Sequence, residues 1–156
     1  MNIQPAAPEL EFLATLKIHV SAPVEVGPTP FGQRRVIPLL GGTVNGPKLK
    51  GTILPGGADF QSVRSDTFTD IQARYVIETA DGDRIYVENT GIRVAAPEDI
   101  AALVRGEPVD PARVYFRTVP RFETAANSWQ WLNQRLFIGT GARYPDRVEL
   151  NFYLVR

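Results

Sequence analysis

Polar and apolar residues alternate with a period of two over much of the chain, and that period predicts β-strands. Between residues 10 and 20, Phe12, Ala14, Leu16, Ile18 and Val20 alternate with Thr15, Lys17 and His19, so the one histidine is expected to face away from the core. Residues 148–155 repeat the pattern, with Val148, Leu150, Phe152 and Leu154 set against Glu149, Asn151 and Tyr153. Further strands are predicted over 113–119 and 136–139. Residues 127–134, which carry Trp129, Trp131 and Leu132, fit neither a strand nor a helix period.

Turn chemistry sharpens one hairpin, residues 71–92. Asp81-Gly82 marks its tip, and a three-residue loop with glycine in the left-handed region pairs Thr79 with Asp83. Glu78 then faces Arg84, Ile77 faces Ile85, Tyr75 faces Val87 and Arg74 faces Glu88. A two-residue loop would set Arg74 against Asn89 and Tyr75 against Glu88, so pairing of opposite charges and of apolar residues favours the first register. One face then carries Tyr75, Ile77, Ile85 and Val87 with Asn89 at its end, and the other carries two ion pairs. After residue 94, Pro97, Glu98 and Asp99 followed by Ile100, Leu103, Val104 and Gly106 predict a helix of about two turns.

Thirteen glycines and thirteen prolines punctuate these short segments, the rhythm of an all-β sandwich or barrel. The predicted fold is a single antiparallel β-barrel domain over residues 1–156 with one short helix, residues 1–8 forming a loose N-terminal segment. Closure would leave no exposed strand edges. The glycine clusters at 41–46 and 56–57 lack the Gly-Lys-Ser/Thr step of a phosphate loop, so they are assigned to barrel corners.

Charge narrows the function. Basic and acidic residues number 17 each, with no basic run, which argues against nucleic acid. No stretch approaches the roughly 18 apolar residues of a membrane helix. With no secretory pattern at the first residues and no cysteine, the cytoplasm is the expected compartment. One histidine and no cysteine leave no set of soft or borderline ligands for zinc, iron or copper, so no cofactor or metal is expected; a carboxylate-held magnesium or calcium near Asp59 and Asp66 stays open. Acid–base chemistry then falls to carboxylates, tyrosines and arginines. The segment 113–124 concentrates such groups: Tyr115, Arg117 and Glu123, which with Tyr75 are the candidate catalytic residues. In this arrangement an arginine clamps a ligand oxygen while tyrosine or glutamate exchanges a proton. The alternative is a bulged edge strand with solvated arginines. Trp129 and Trp131 either close the barrel or stack on a ligand.

The strings Gly32-Gln33-Arg34-Arg35-Val36-Ile37-Pro38, Gly41 to Gly51, Leu54-Pro55-Gly56-Gly57-Ala58-Asp59-Phe60, Ala73-Arg74-Tyr75, Asp81-Gly82, Phe116 to Thr124 and Trp131-Leu132-Asn133 together resemble the bacterial and fungal family called domain of unknown function 3237. Phe60 departs from the tryptophan expected there. The resemblance implies a calycin-like, lipocalin-like antiparallel barrel and no assigned activity. Its matched polar positions are Asp59, Arg74, Tyr75, Arg117, Glu123 and Asn133. The hairpin register puts Arg74 and Tyr75 on opposite faces, so Tyr75 is the candidate for the interior. Asp59, Asn89, Trp131 and Asn133 are the candidate substrate-binding residues.

Three functions fit. The first is a cofactor-independent acid–base enzyme, an isomerase, cyclase or lyase, acting on a small carbonyl or aromatic metabolite. The second is a noncatalytic barrel binding a lipophilic small molecule. The third is a homo-oligomeric structural module that uses exposed aromatics such as Phe31 or Phe60.

Overall fold

The computed structural model describes residue 1 and residues 3–156. Its strands are β1 (Leu10–Val20), β2 (Val24–Thr29), β3 (Gly32–Asn45), β4 (Lys50–Ile53), β5 (Ala58–Val63), β6 (Phe68–Thr79), β7 (Arg84–Val94), β8 (Tyr115–Glu123), β9 (Phe137–Arg143) and β10 (Arg147–Val155), with helix α1 (Pro97–Val104) between β7 and β8. Residues 3–9 form no strand or helix.

All pairings are antiparallel. The circuit runs from β1 through β10, β9, β8, β7 and β6, then through β4 and β5 to β3, which returns to β1. Strands β1 and β2 lie end to end along β3, as β4 and β5 do between β3 and β6. The ten strands therefore make eight staves of a closed barrel, the all-β architecture expected from the alternation. Long β3 turns from one set of neighbours to the other at Gly41 and Gly42. Gly41 has φ +129°, and a Cβ on Gly42 would collide with the Lys17 carbonyl of β1, so a residue with a side chain fits neither place.

The hairpin of β6 and β7 has the predicted register, with Glu78 opposite Arg84 and Tyr75 opposite Val87. The Thr79 amide donates to the Asp83 carbonyl (2.8 Å), and Gly82 takes φ +88°. One of the two expected ion pairs forms, Arg84 to Glu78 at 3.1 Å. Arg74 also faces Glu88, but Glu88 accepts from the hydroxyl of Tyr86 instead (3.0 Å).

Strand β1 has the predicted bounds and an exposed His19, yet Phe12 is not inside. A bulge between Phe12 and Ala14 breaks the period, leaving Phe12 outside against Tyr153 and burying Leu13 in its place. The ambiguous segment Asn127–Gln134 is a run of 3-10 turns, a helical piece beyond α1 and the short 3-10 turn Pro111–Arg113. It buries Leu132 and packs Trp131 on Phe137 (6.2 Å between ring centroids). These turns close one barrel end, over a core in which Phe122, Phe137 and Phe152 meet edge to face. Helix α1 follows β7 at the other end. There buried Arg35 of β3 donates to the Val104 carbonyl at the helix C-terminus (3.1 Å) and pairs with Glu25 (2.9 Å).

Candidate functional site

Alternation decides which side chains enter the barrel. On β6 it sends Ile71, Ala73, Tyr75 and Ile77 inward, and on β7 Ile85, Val87, Asn89 and Arg93. On β5, Asp59 sits opposite Ala73, and Gln61 shares its face. Toward the 3-10 end this interior is filled with aliphatic and aromatic groups. Toward the α1 end it holds a cavity of about 30 Å³, lined by Asp59, Gln61, Tyr75, Asn89, Arg93 and Arg143 and by an apolar wall that includes Ile18, Ile37, Ile71 and Phe116. Half-buried Val20, Arg143 and Val148 lie near its strand ends.

Two glycines let neighbouring strands come close here. A Cβ on Gly57 would fall 2.5 Å from the Arg74 carbonyl oxygen and 2.7 Å from the Tyr75 Cβ, and one on Gly141 would fall 2.7 Å from the Phe116 ring, which therefore packs against bare backbone.

The polar groups are only partly satisfied. Asp59 accepts from Gln61 Nε2 (2.8 Å) and from the Gln72 amide (3.2 Å). Arg143 donates to the Tyr144 and Arg147 carbonyls. Gln61 Oε1, the Tyr75 hydroxyl, Asn89 Oδ1, Arg93 Nε and Thr118 Oγ1 are buried without a hydrogen-bond partner. Four of these five atoms belong to residues that line the one cavity, an unusual concentration, since each orphan costs on the order of 1–3 kcal/mol. Among the described residues no group of three His, Cys, Asp or Glu is placed to hold a metal ion, and Asp66 stands in an exposed turn away from Asp59.

Burial sets the protonation states. It raises the pKa of Asp59, an effect that the Gln61 hydrogen bond and the charges of Arg93 and Arg143 oppose. Burial, reinforced by the charge of Asp59, pushes the Tyr75 phenol well up, so Tyr75 is a neutral O–H donor. Arg93 is pulled down to about 10 by burial, with neighbouring Arg143 and Arg35 adding to the effect and Asp59 opposing it. It is therefore a cation at neutral pH.

The sequence candidates separate into two groups. Tyr75, Asp59 and Asn89 converge on the cavity. Tyr115, Arg117 and Glu123 do not, because β8 sends Phe116, Thr118 and Phe122 inward and these three outward. Arg117 lies over the Tyr115 ring (4.8 Å) in an open outer groove of about 610 Å³, where its charge is solvated. Glu123 shares that outer face but stands eight residues from Tyr115, about 26 Å along the strand. Asn133 ties the end of β8 to the 3-10 turns: its Oδ1 accepts from the Thr124 amide (2.8 Å) and its Nδ2 donates to the Thr124 carbonyl (3.0 Å). Trp131 packs at the closed end, away from the cavity. The sequence reading passed over Arg93, Gln61 and Arg143. Arg93 was within reach of it, since Val87, Asn89 and Arg93 share one phase on β7.

The chain matches the family described as "Protein of unknown function (DUF3237)" over residues 8–155. It is similar to a conserved protein of unknown function from Rhodopseudomonas palustris whose crystal structure superposes with a TM-score of 0.91, at 44% identity over 99% of this chain and 100% of that one. A UPF0311 protein from Bradyrhizobium diazoefficiens is 44% identical over 94% of this chain and 96% of its own length. More distantly, the hydroalkoxylation enzyme phnH of Penicillium herquei is 27% identical over 97% of this chain and 85% of its own.

Proposed function

The chain belongs to the DUF3237 family of proteins of unknown function, and on that footing we propose that its hollow barrel end is the active site of a cofactor-independent acid–base enzyme acting on a small phenolic or enolisable metabolite. The carrying observation is that a carboxyl, a neutral phenol and a buried guanidinium line one cavity with hydrogen-bonding capacity unused. The distant likeness to an enzyme named for hydroalkoxylation supports the same class, because adding O–H across C=C needs only proton transfer.

In this reading Asp59 takes the proton from a ligand hydroxyl as the new C–O bond forms. Its burial-raised pKa makes it a competent acid as well as a base, so in the same concerted step it passes that proton to the other alkene carbon, whose new C–H bond takes up the π electron pair. The reaction is an isomerisation, and atoms and electrons balance without a co-reactant. Arg93 stabilises the developing oxyanion, worth more in a dry site than in water. Tyr75, too weak an acid to give up its proton, orients the oxygen by a hydrogen bond. The free space is small beside the roughly 150 Å³ that holds a benzene, so a phenol enters by displacing Arg143 and Val148 at the barrel end. A binding-only barrel is the second reading, favoured by the aliphatic part of the wall.

Incubation with ring-substituted 2-prenylphenols, followed by chromatography for the isobaric cyclic ether, separates the two. We expect product from the wild type, a loss of about 100-fold or more in Asp59→Asn, and a smaller loss in Tyr75→Phe. Rates in Asp59→Asn equal to wild type, or a wild type no faster than buffer across the series, would remove the enzymatic reading.

A further inference from the structure

The polar groups of the hollow end do not balance one another. Asp59 is its one carboxylate, against the guanidiniums of Arg93 and Arg143. Arg143 is occupied with two backbone carbonyls. Arg93 is not: it is 4% exposed, the Phe116 ring lies 5.4 Å from its guanidinium, and its Nε is buried without a partner. Its unpartnered Nε lies on the edge of the guanidinium, the fork that matches a planar carboxylate.

The orphaned acceptors ask for the opposite kind of group. Gln61 Nε2 is committed to the acceptor-only carboxylate of Asp59, which fixes the amide's orientation and leaves Oε1 in want of a donor. Asn89 Oδ1 is also buried without a donor. A lone anion would leave both unmet, and a neutral alcohol would leave Arg93 unmet. We infer that the hollow end recognises a hydroxycarboxylate, its carboxylate along the free edge of Arg93 and its hydroxyl donating to Gln61 or Asn89. This rests on the reading that the hollow end is the site, and not on the catalytic step assigned to it.

Titration calorimetry at low ionic strength with salicylate, benzoate and salicylamide tests it, the second lacking the hydroxyl and the third the charge. Salicylate should bind at least tenfold tighter than either. Arg93→Met should lose tenfold or more for salicylate while leaving salicylamide unchanged, and Gln61→Met should bring salicylate down toward benzoate. Circular dichroism identifies a variant that fails to fold, and Gln61→Met carries the test if Arg93→Met is that variant. Equal affinities for the three probes, no binding of any, or a folded Arg93→Met that binds salicylate like wild type would each overturn the inference. Charge-selective binding by a wild type that turns nothing over would end the catalytic reading and leave this one standing.

Discussion

The two ends of the barrel interior are built from the same strands and obey different rules. Toward the 3-10 turns, Ile77, Ile85, Val87, Phe137 and Phe152 are fully buried, apolar and edge-to-face where aromatic. One to three inward positions further along the same strands stand Tyr75, Asn89 and Arg93, also buried and short of partners. Burial therefore does not explain the polar set. A barrel optimised for stability alone would carry the aliphatic pattern of β6 and β7 to both ends. The departure costs free energy, and costs of this kind persist where a site needs them.

That contrast predicts opposite signs for mutations at equal depth. The largest effect belongs to the packed end, where Phe152→Ala removes a fully buried ring and leaves a cavity, a loss of about 3–5 kcal/mol in urea denaturation. At the hollow end, Arg93→Met should stabilise modestly, because it ends the desolvation cost of a buried cation that makes no ion pair or hydrogen bond, a gain reduced by the lost attraction to Asp59. Asp59 loses an opposite charge in that variant and answers by holding its proton more tightly. Measured destabilisation by Arg93→Met comparable to that of Phe152→Ala would mean that the two ends are one structural core.

Much of the frame was legible in the sequence because local rules agreed with one another there. The 80–82 loop, the cross-strand charges and the apolar pairs all pointed to one hairpin register, and β6 and β7 adopt it. Phe12 misled because a bulge is a tertiary adjustment that no period announces. The site was half legible. Following the inward face of β6 and β7 gave Tyr75 and Asn89, and two further steps of the same period along β7 would have given Arg93. The segment holding Tyr115, Arg117 and Glu123 drew attention by composition, but its phase was the deciding fact. Phe116 and Phe122, spaced by an even number, take the interior and send the arginines out. What alternation could not convey is that Gly57 and Gly141 thin the wall beside Tyr75 and Phe116, since that depends on which strands become neighbours.

The smallest effect is the most specific to the hollow end, because it follows one proton. Burial holds the folded-state pKa of Asp59 above its ordinary 3.8, against the pull of Gln61, the Gln72 amide, Arg93 and Arg143. A carboxyl raised in this way binds its proton more tightly folded than unfolded. Ionised Asp59 thus costs stability at neutral pH; the cost fades as pH falls through the folded pKa and is gone below the unfolded one. Asparagine at this position cannot titrate. The wild type should therefore gain on Asp59→Asn as the pH is lowered through that window and show a constant offset above it, the offset absorbing whatever the amide does to Arg93. Arg93, depressed to about 10, gives the mirror case: its cost is present below its folded pKa and lifts as pH rises beyond, so the wild type gains on Arg93→Met on the alkaline side. Urea titrations of the three proteins across pH read both windows. A wild-type offset from Asp59→Asn that stays constant from pH 7 to 3 would place Asp59 in ordinary solvent, and the hollow end would then lose the one group that can both take and return a proton.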